Sequence, residues 1–427
     1  MSRRKSTRDR RSPTTLTKQS NGVALALPVE LWRMIFEMAG HPLARDWDDD
    51  FELGMTFGVD TYKNHCASVG CRPPLWLESH RTLSAISLTC HTWSAISTPL
   101  LYSLLWIATP DHARKLLPVL RRTPVNGGFR GATFGEHVTA LIVNQHAISG
   151  AVLKSLCDLC PRLRAISAHS VGVKTVTQWR ALERSLSQLS SLRHFDICCG
   201  TVDQNEFPTT RKPSTFPNLH YFAVSFNPWC GFGPWQMPNL RHLSFVIMAD
   251  DQEHLRTQLI PFLRSNGSQI RNLELLTNSN FDGIESFMPF GADAIIPLCP
   301  KLRELSATLP HLLPLLWDPH HPLSHPVLEA FMIPLPPPSH VDPEIMRPVL
   351  QSLNRQNFPK LEVALLYNSY PVSLSDLKKT DIKISLPSWW KDVIATWQTD
   401  RIFVGQLPEG RRLTYKALIE FAEFVDI

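Results

Sequence analysis

Two groups of cysteine and histidine side chains have spacings that could hold a metal ion. Cys157 and Cys160 form a C-x-x-C pair, and the adjacent Cys198 and Cys199 follow later in the chain. Two neighbouring cysteines cannot easily reproduce the bite of a C-x-x-C pair on zinc, so we favour structural thiols at these positions. A weaker candidate set consists of His65, Cys66, Cys71 and His80. The sequence therefore predicts no bound metal and no cofactor.

Common catalytic motifs are missing from the sequence. It contains no G-x-S-x-G elbow, no G-x-x-x-x-G-K loop, no H-E-x-x-H pair and no G-x-G-x-x-G turn. A hydrolase hidden among scattered Ser and His residues stays open, and loss of an activity on mutating one of them would favour it. We expect a protein that is not an enzyme.

Composition and charge describe a neutral folded body with a basic tail. The chain has 427 residues, of which 43% are hydrophobic and 19% are charged, enough for a large core. Residues 1–20 carry seven basic side chains and one acidic one, against a net charge of +5 for the whole chain. This distribution argues against a nucleic-acid partner. Nine cysteines are too few for a disulfide scaffold, and no apolar leader or membrane span is visible. We expect an intracellular protein, cytoplasmic or nuclear, with no membrane partner.

Helical spacing marks the N-terminal third of the chain. A helix is predicted to begin beside Pro28, with Leu31, Trp32, Ile35 and Phe36 on one broad apolar stripe. An acidic, proline-containing stretch at 41–80 then reads as an insertion. Helical spacing returns over 82–106, where Pro99 is predicted to end one helix and to start another.

A short motif recurs from residue 138 onward. An anchor residue is followed by apolar residues at anchor+3 and anchor+5, and six copies carry proline two residues before the anchor. Successive anchors are separated by 21 to 33 residues. The anchors are Val138, Leu163, Leu192, Leu219, Leu240, Leu273, Leu302, Leu328 and Leu361. Because the +3 to +5 step has period two, each copy predicts a short strand with one buried face.

Helical spacing between the predicted strands completes the repeat. It occurs over 152–160, 179–189 and 255–263. One strand and one helix per unit predict a curved parallel α/β solenoid. The alternative is an ordinary α/β domain in which the motif recurs by chance.

The helical blocks resemble an F-box. Leu27 to Glu37 follow the pattern L-P-x-E-L-W-x-x-I-F-E, which resembles its opening. Leu83 to Trp106 are similar to its second half, with L-x-x-I-x-L-T-C-x-x-W-x-x-I followed by P-L-L-Y-x-x-L-W. The insertion at 41–80 departs from the short connection of the family, and interrupted boxes of this kind are found in F-box-like proteins of fungi. The repeats look like the irregular leucine-rich repeats that follow F-boxes, although only Asn227 matches the family's asparagine ladder at anchor+8.

The resemblance implies a fold and a domain order. The fold is α/β, with a small helical F-box-like domain followed by an irregular leucine-rich-repeat solenoid of parallel strands. The implied boundaries are a disordered tail at 1–22, the F-box-like domain at 23–106, the solenoid at 107–370 and a C-terminal cap at 371–427. The cap would cover the last repeat with Trp389, Trp390, Trp397 and a helical run over 415–425.

The resemblance also implies partners and the residues that bind them. F-boxes bind the Skp-type adaptor of cullin ubiquitin ligases, and the residues carried over as contacts are Leu27, Pro28, Leu31, Ile35, Phe36, Leu88 and Trp93. For Trp93 we favour a core position over adaptor contact. The chain would then be a substrate-receptor subunit. The alternative is a scaffold whose F-box-like unit does not engage a ligase.

The repeats would supply the surface for a protein substrate. Side chains at anchor+2 and anchor+4 point away from the core, toward the concave face. The candidates on this face are His194, Asp196, Tyr221, His242 and Glu304. The anchor+1 column is basic first and mostly acidic later: Arg164, Arg193, His220, Arg241, Glu274, Arg303, Glu329 and Glu362. This field would orient a partner of mixed charge, or its charges simply keep the solenoid solvated.

Overall fold

The structure is a computed structural model. It describes residues 27–40, 74–123, 132–143, 148–199, 213–225, 235–247, 259–277, 295–307, 324–335, 347, 350–368 and 390–407. The predicted disordered tail, the acidic run of the insertion and the predicted helical run over 415–425 lie outside these residues.

Three helices form a small cluster at the start of the described chain. They are α1 (Val29–Gly40), α2 (Pro74–Ser87) and α3 (His91–Ser103). The prediction that Pro99 ends a helix is wrong, because α3 continues through it and the break lies at residues 88–90. Just before the proline, the hydroxyls of Ser97 and Thr98 donate to carbonyls one turn earlier, at 2.8 and 2.6 Å.

A parallel sheet of twelve strands occupies the rest of the described chain. Its strands are β1 (Leu104–Ile107), β2 (Ala140–Val143), β3 (Ile148–Ser149), β4 (Ala165–Gly172), β5 (His194–Cys199), β6 (Tyr221–Ser225), β7 (His242–Ile247), β8 (Asn272–Thr277), β9 (Glu304–Ala307), β10 (Ala330–Leu335), β11 (Val363–Asn368) and β12 (Phe403–Leu407). Apart from β3, which pairs with β4, each strand lies beside the next one in the chain. This sequential order is the arrangement expected of stacked strand-and-crossover units, so the prediction of a parallel α/β repeat architecture is confirmed for the described residues.

Short helices make several of the crossovers. They are α4 (Pro110–Leu120), α5 (Gly150–Leu159), α6 (Val176–Ser187) and α7 (Ile260–Asn266), with 3-10 turns at Phe134–His137, Gly267–Gln269 and Ile296–Leu298. Side-chain oxygens of Thr109, Ser149 and Thr175 cap α4, α5 and α6 by accepting backbone N–H bonds. These caps fix where each crossover helix begins.

The strand register corrects one of the predicted anchors. Asn272, rather than Leu275, lies opposite His242 and Glu304, so the anchor of this unit is Ile270 and not Leu273. A shift of three residues moves Leu275 from the outer column into the core, where it is fully buried. The other eight predicted anchors agree with the observed pairing.

The core lies between the sheet and its crossovers. In one unit, Leu219, Phe222 and Val224 occupy the anchor, +3 and +5 positions and are buried. Asparagines just before two anchors join neighbouring units: Asn218 donates to the carbonyl of Ser190 at 2.6 Å, and Asn239 to that of Pro217 at 2.7 Å. These side chains bond adjacent backbones, although at a position other than anchor+8.

Both ends of the sheet extend beyond the predicted solenoid of residues 107–370. β1 begins at Leu104, inside the segment predicted to be helical, and pairs with β2. At the other end, α8 (Trp390–Thr399) and β12 lie in the predicted cap, and β12 pairs with β11. Trp397 of α8 is buried, and its indole N–H donates to the Leu350 carbonyl at 3.2 Å. The described part of the predicted cap is therefore one more helix-and-strand unit. None of the described helices combines the length and the apolar character needed to cross a lipid bilayer.

Candidate partner-binding surfaces

The helical cluster is held together by an aromatic centre. Phe36, Leu83 and Ile96 are its buried hydrophobic residues, one from each helix. The ring of Trp93 lies 4.9 Å from that of Trp32 and 5.5 Å from that of Phe36, and both contacts are tilted or edge-on. One face of α1 is therefore used to pack against α2 and α3.

The other face of α1 presents large apolar side chains to solvent. Among the described residues, every exposed large hydrophobic side chain belongs to this helix, to the two residues before its first turn or to the turn after α2. We call this set the apolar patch: Leu27, Val29, Leu31, Met34, Ile35, Met38 and Leu88. Four of its members, from Leu31 to Met38, recur at helical spacing on one stripe. An exposed apolar stripe on an otherwise polar surface is typical of a partner site.

The predicted adaptor contacts fall into two groups. Leu27, Pro28, Leu31, Ile35 and Leu88 are exposed, and Leu88 is 86% accessible. Phe36 is only 2% accessible and lies in the cluster core, while Trp93 is half-buried against it. The structure thus places the first group at the surface and the second in or beside the core. Their binding roles stay predictions.

The predicted substrate residues lie on four strands of the sheet, β5, β6, β7 and β9. The rings of His194 and Tyr221 stack with centroids 4.0 Å apart, and those of Tyr221 and His242 are 4.5 Å apart. The Ser167 hydroxyl donates to the Asp196 carboxylate at 2.9 Å, and Asn272 donates to Glu304. The column positions are therefore in register across these strands, with Asn272 in the place predicted for Leu275.

Burial separates these substrate candidates. His194 and Asp196 are 1% and 2% accessible, and Tyr221 is also buried. His242 and Glu304 are half-buried. The prediction that these side chains are open to a substrate on the concave face therefore does not hold for His194, Asp196 and Tyr221, which are enclosed. Adjacent strands lie only about 4.8 Å apart, so side chains at equivalent positions touch. The stacked rings and the Ser167–Asp196 hydrogen bond therefore cover part of these side chains.

Buried polar groups that the repeat pattern does not indicate join separate units. Glu183 of α6 is 2% accessible and accepts hydrogen bonds from Ser214 Oγ and Trp235 Nε1, each at 2.6 Å. Asn266 accepts from the Met237 N–H at 2.7 Å and donates to the Trp235 carbonyl at 2.9 Å. These hydrogen bonds hold the segments that lead into β6 and β7 in place. No sequence signal beyond their place in crossover segments identifies them.

The residues that immediately precede the strands form a row of mostly basic side chains. The observed register puts Arg271, rather than Glu274, into this column. We call the six consecutive basic members the basic row: Arg164, Arg193, His220, Arg241, Arg271 and Arg303. Glu329 and Glu362 follow at the next two strands. The column therefore holds five arginines and one histidine over six strands and is then acidic.

Two of the candidate metal ligands, Cys157 and Cys160, are buried thiols. Burial is the main cause that raises the pKa of Cys157 far above its ordinary value, and burial raises the pKa of Cys160 to about 12. Cys157, Cys160 and Cys198 take part in no disulfide among the described residues. Among the described residues, no three His, Cys, Asp or Glu side chains come together as metal ligands. His65, Cys66 and Cys71 lie outside the described residues.

Comparisons with known proteins leave the family of this chain open. No family model matches it. No curated protein matches it either. One solved structure that matches is the Rad7 and Elc1 complex in yeast, at 13% identity and a TM-score of 0.27, over 84% of this chain and 92% of that chain. A match of that identity and score assigns neither fold nor function.

Proposed function

We propose that this chain is a substrate-receptor subunit of a Skp-cullin-F-box type ubiquitin ligase. The observation that carries the proposal is the apolar patch on α1 and the turn after α2. The patch falls on the same residues whose pattern resembles an F-box. In this proposal the patch binds a Skp-type adaptor, through it a cullin, and the repeats bind a protein substrate.

The division of α1 into two faces supports adaptor binding. Trp32 and Phe36 fix the helix against α2 and α3, so its outer stripe is held in place before any partner arrives. Fully burying a large aliphatic side chain contributes about 1.5–3 kcal/mol, and a preorganised helix loses little entropy on binding. Phe36 and Trp93 then support the surface from behind, while Leu31, Ile35 and Leu88 contact the adaptor.

The mechanism needs no bond chemistry from this chain. Holding a substrate beside the catalytic subunits of a ligase raises the effective concentration of its lysines there. The chain therefore acts as a non-enzymatic receptor, and its specificity lies in what the sheet binds.

Adaptor capture tests the proposal. The full chain is co-purified with a Skp-type adaptor beside the double variant Leu31→Asp, Ile35→Asp, which puts two carboxylates into the patch. Both side chains are exposed, so the variant keeps the packed face of α1. Ala85→Asp is the matched control, because it adds a carboxylate at an exposed position on the neighbouring helix α2.

The two outcomes are distinct. Capture by the wild type and by Ala85→Asp, with loss in the double variant, supports the receptor. Absence of capture by a wild-type chain that circular dichroism shows to be folded overturns it, and the scaffold then becomes the leading function. Equal capture by all three chains also overturns the assignment of the patch.

A further inference from the structure

Backbone hydrogen bonds hold the basic row in register from strand to strand across the sheet. Each row residue accepts, through its carbonyl, two N–H bonds from the next unit: Arg164 from Arg193 and His194 at 2.8 and 2.9 Å, and Arg241 from Arg271 and Asn272 at 2.7 and 3.0 Å. The pattern repeats without a break as far as Glu362 and Val363. Because the strands are parallel, all these residues lie along the same side of the sheet, at the N-terminal ends of their strands.

The side chains of the row reach the surface. Arg241 and Arg303 are exposed, and the other four members are half-buried. Neighbouring strands are about 4.8 Å apart, so the six residues span about 24 Å.

We propose that the basic row binds an extended acidic segment of a protein partner. The inference deepens the proposed function by naming the chemical class of substrate. It rests on that function only in one respect, namely that the bound partner is a ligase substrate. Guanidinium groups present paired N–H donors that match carboxylates, and several of them in line favour a run of Asp and Glu over a single anion.

The acidic end of the column sets the limit of the site. Glu329 follows Arg303 on the next strand, and its carboxylate lies 3.8 Å from the Arg303 guanidinium. Glu362 follows on the strand after that. A bound acidic segment meets repulsion beyond Arg303, so the column fixes where the segment ends on the sheet.

The surroundings favour a polypeptide over a single-stranded nucleic acid. Proteins that bind single strands combine basic grooves with exposed aromatic platforms for the bases. Within the described ranges, the exposed large hydrophobic side chains are all aliphatic, and the ring of Tyr221 near the row is buried between two histidines. The described part of the row therefore offers charge without stacking.

Fluorescence anisotropy with the full chain and no adaptor tests this site. The probe is a labelled peptide of alternating glutamate and serine, about ten residues long, since an extended chain of that length covers the row. A peptide with glutamine in place of glutamate and a single-stranded RNA of similar length are the comparisons. The double variant Arg193→Glu, Arg303→Glu is expected to bind the acidic peptide about a hundredfold more weakly, or about tenfold per reversed side chain.

Further variants control for charge and folding. Arg264→Glu makes the same charge change at an exposed position on α7 and is expected to bind like the wild type. Arg193→Gln, Arg303→Gln gives a smaller loss in the same direction without new repulsion. Glu329→Arg extends the row and is expected to bind several times more tightly. Binding of the peptide is also expected to weaken as salt rises, because the contacts are exposed.

Three results overturn the inference: no binding of the acidic peptide at low salt, equal binding by the wild type and both double variants, or tighter binding of the RNA than of the peptide. Because no adaptor is present, failure here leaves adaptor capture untouched. If adaptor capture fails but the acidic peptide still binds, the basic row remains a binding site for acidic segments and its role in a ligase is refuted.

Discussion

Replacing Glu183 by leucine is expected to weaken the middle of the sheet. The Glu183 carboxylate is buried in α6 and accepts bonds from Ser214, before β6, and from Trp235, before β7, each at 2.6 Å. Leucine fills much of the same volume but accepts no hydrogen bond. The substitution therefore leaves the buried indole N–H of Trp235 without this acceptor.

The magnitude follows from the bonds that are lost. A hydrogen bond to a charged group contributes about 1.5–3 kcal/mol, and an unsatisfied buried donor costs about 1–3 kcal/mol. We expect Glu183→Leu to lower the free energy of unfolding by about 3–5 kcal/mol. Glu183→Gln keeps an oxygen in place, so we expect less than half of that loss.

A double-mutant cycle separates the Glu183–Trp235 bond from the other contacts of the two residues. The cycle consists of Glu183→Leu, Trp235→Phe and the combined variant, measured by urea unfolding and circular dichroism. Trp235→Phe keeps an aromatic ring beside Trp179, Phe216 and Phe222 but removes the N–H. We expect a coupling free energy of about 1–2 kcal/mol. Additive effects of the two single changes would refute the reasoning that this bond joins the units.

Two further predictions concern close contact and pH. Gly267→Ala is expected to cost about 1–3 kcal/mol, because a Cβ there would lie 2.3 Å from a backbone carbonyl oxygen, whereas Gly172→Ala meets its nearest atom at 3.6 Å. Thermal unfolding compares the two, and equal midpoints would contradict the expectation. Burial lowers the pKa of His325, and the opposing effect of its hydrogen bond to the Cys299 carbonyl is smaller. The unfolded chain therefore binds a proton at this residue more readily than the folded chain. Stability is therefore expected to fall as the pH drops below about 6.5, the usual histidine pKa. His325→Gln should flatten that fall in urea titrations between neutral and mildly acidic pH, and an unchanged fall counts against a role for this residue.

Local apolar spacing was sufficient to predict most of the repeat architecture. In most units a proline and a following leucine mark where the strand begins, and the period-two residues after them fix which face is buried. The unit at Ile270 lacks that proline. Its apolar residues still fit only one anchor, because Ile270 puts Leu273 and Leu275 at +3 and +5, whereas the predicted anchor Leu273 puts Asn278 at +5. The bonds from Arg271 and Asn272 to the Arg241 carbonyl show the same register in the folded chain.

The limits of the elements and the state of the surface depend on tertiary contacts. The strand at Leu104 follows a helical pattern without a break in composition, so its pairing with β2 is not visible in the sequence. The same holds for burial: His194 and Asp196 occupy outward positions in the strand pattern, yet they are enclosed in the folded chain. The predicted register places Glu274 in the column of residues that precede the strands, whereas the observed register places Arg271 there. The basic row is therefore visible only with the observed register.

Hydrogen–deuterium exchange with and without a Skp-type adaptor tests the central claim most directly, because it locates the contact on the chain. The account predicts slower exchange on adding the adaptor in α1 and in the turn at residues 88–90, with β6 and β7 unchanged. Protection confined to the strands, or no protection at saturating adaptor, would contradict the assignment of the apolar patch as the docking surface.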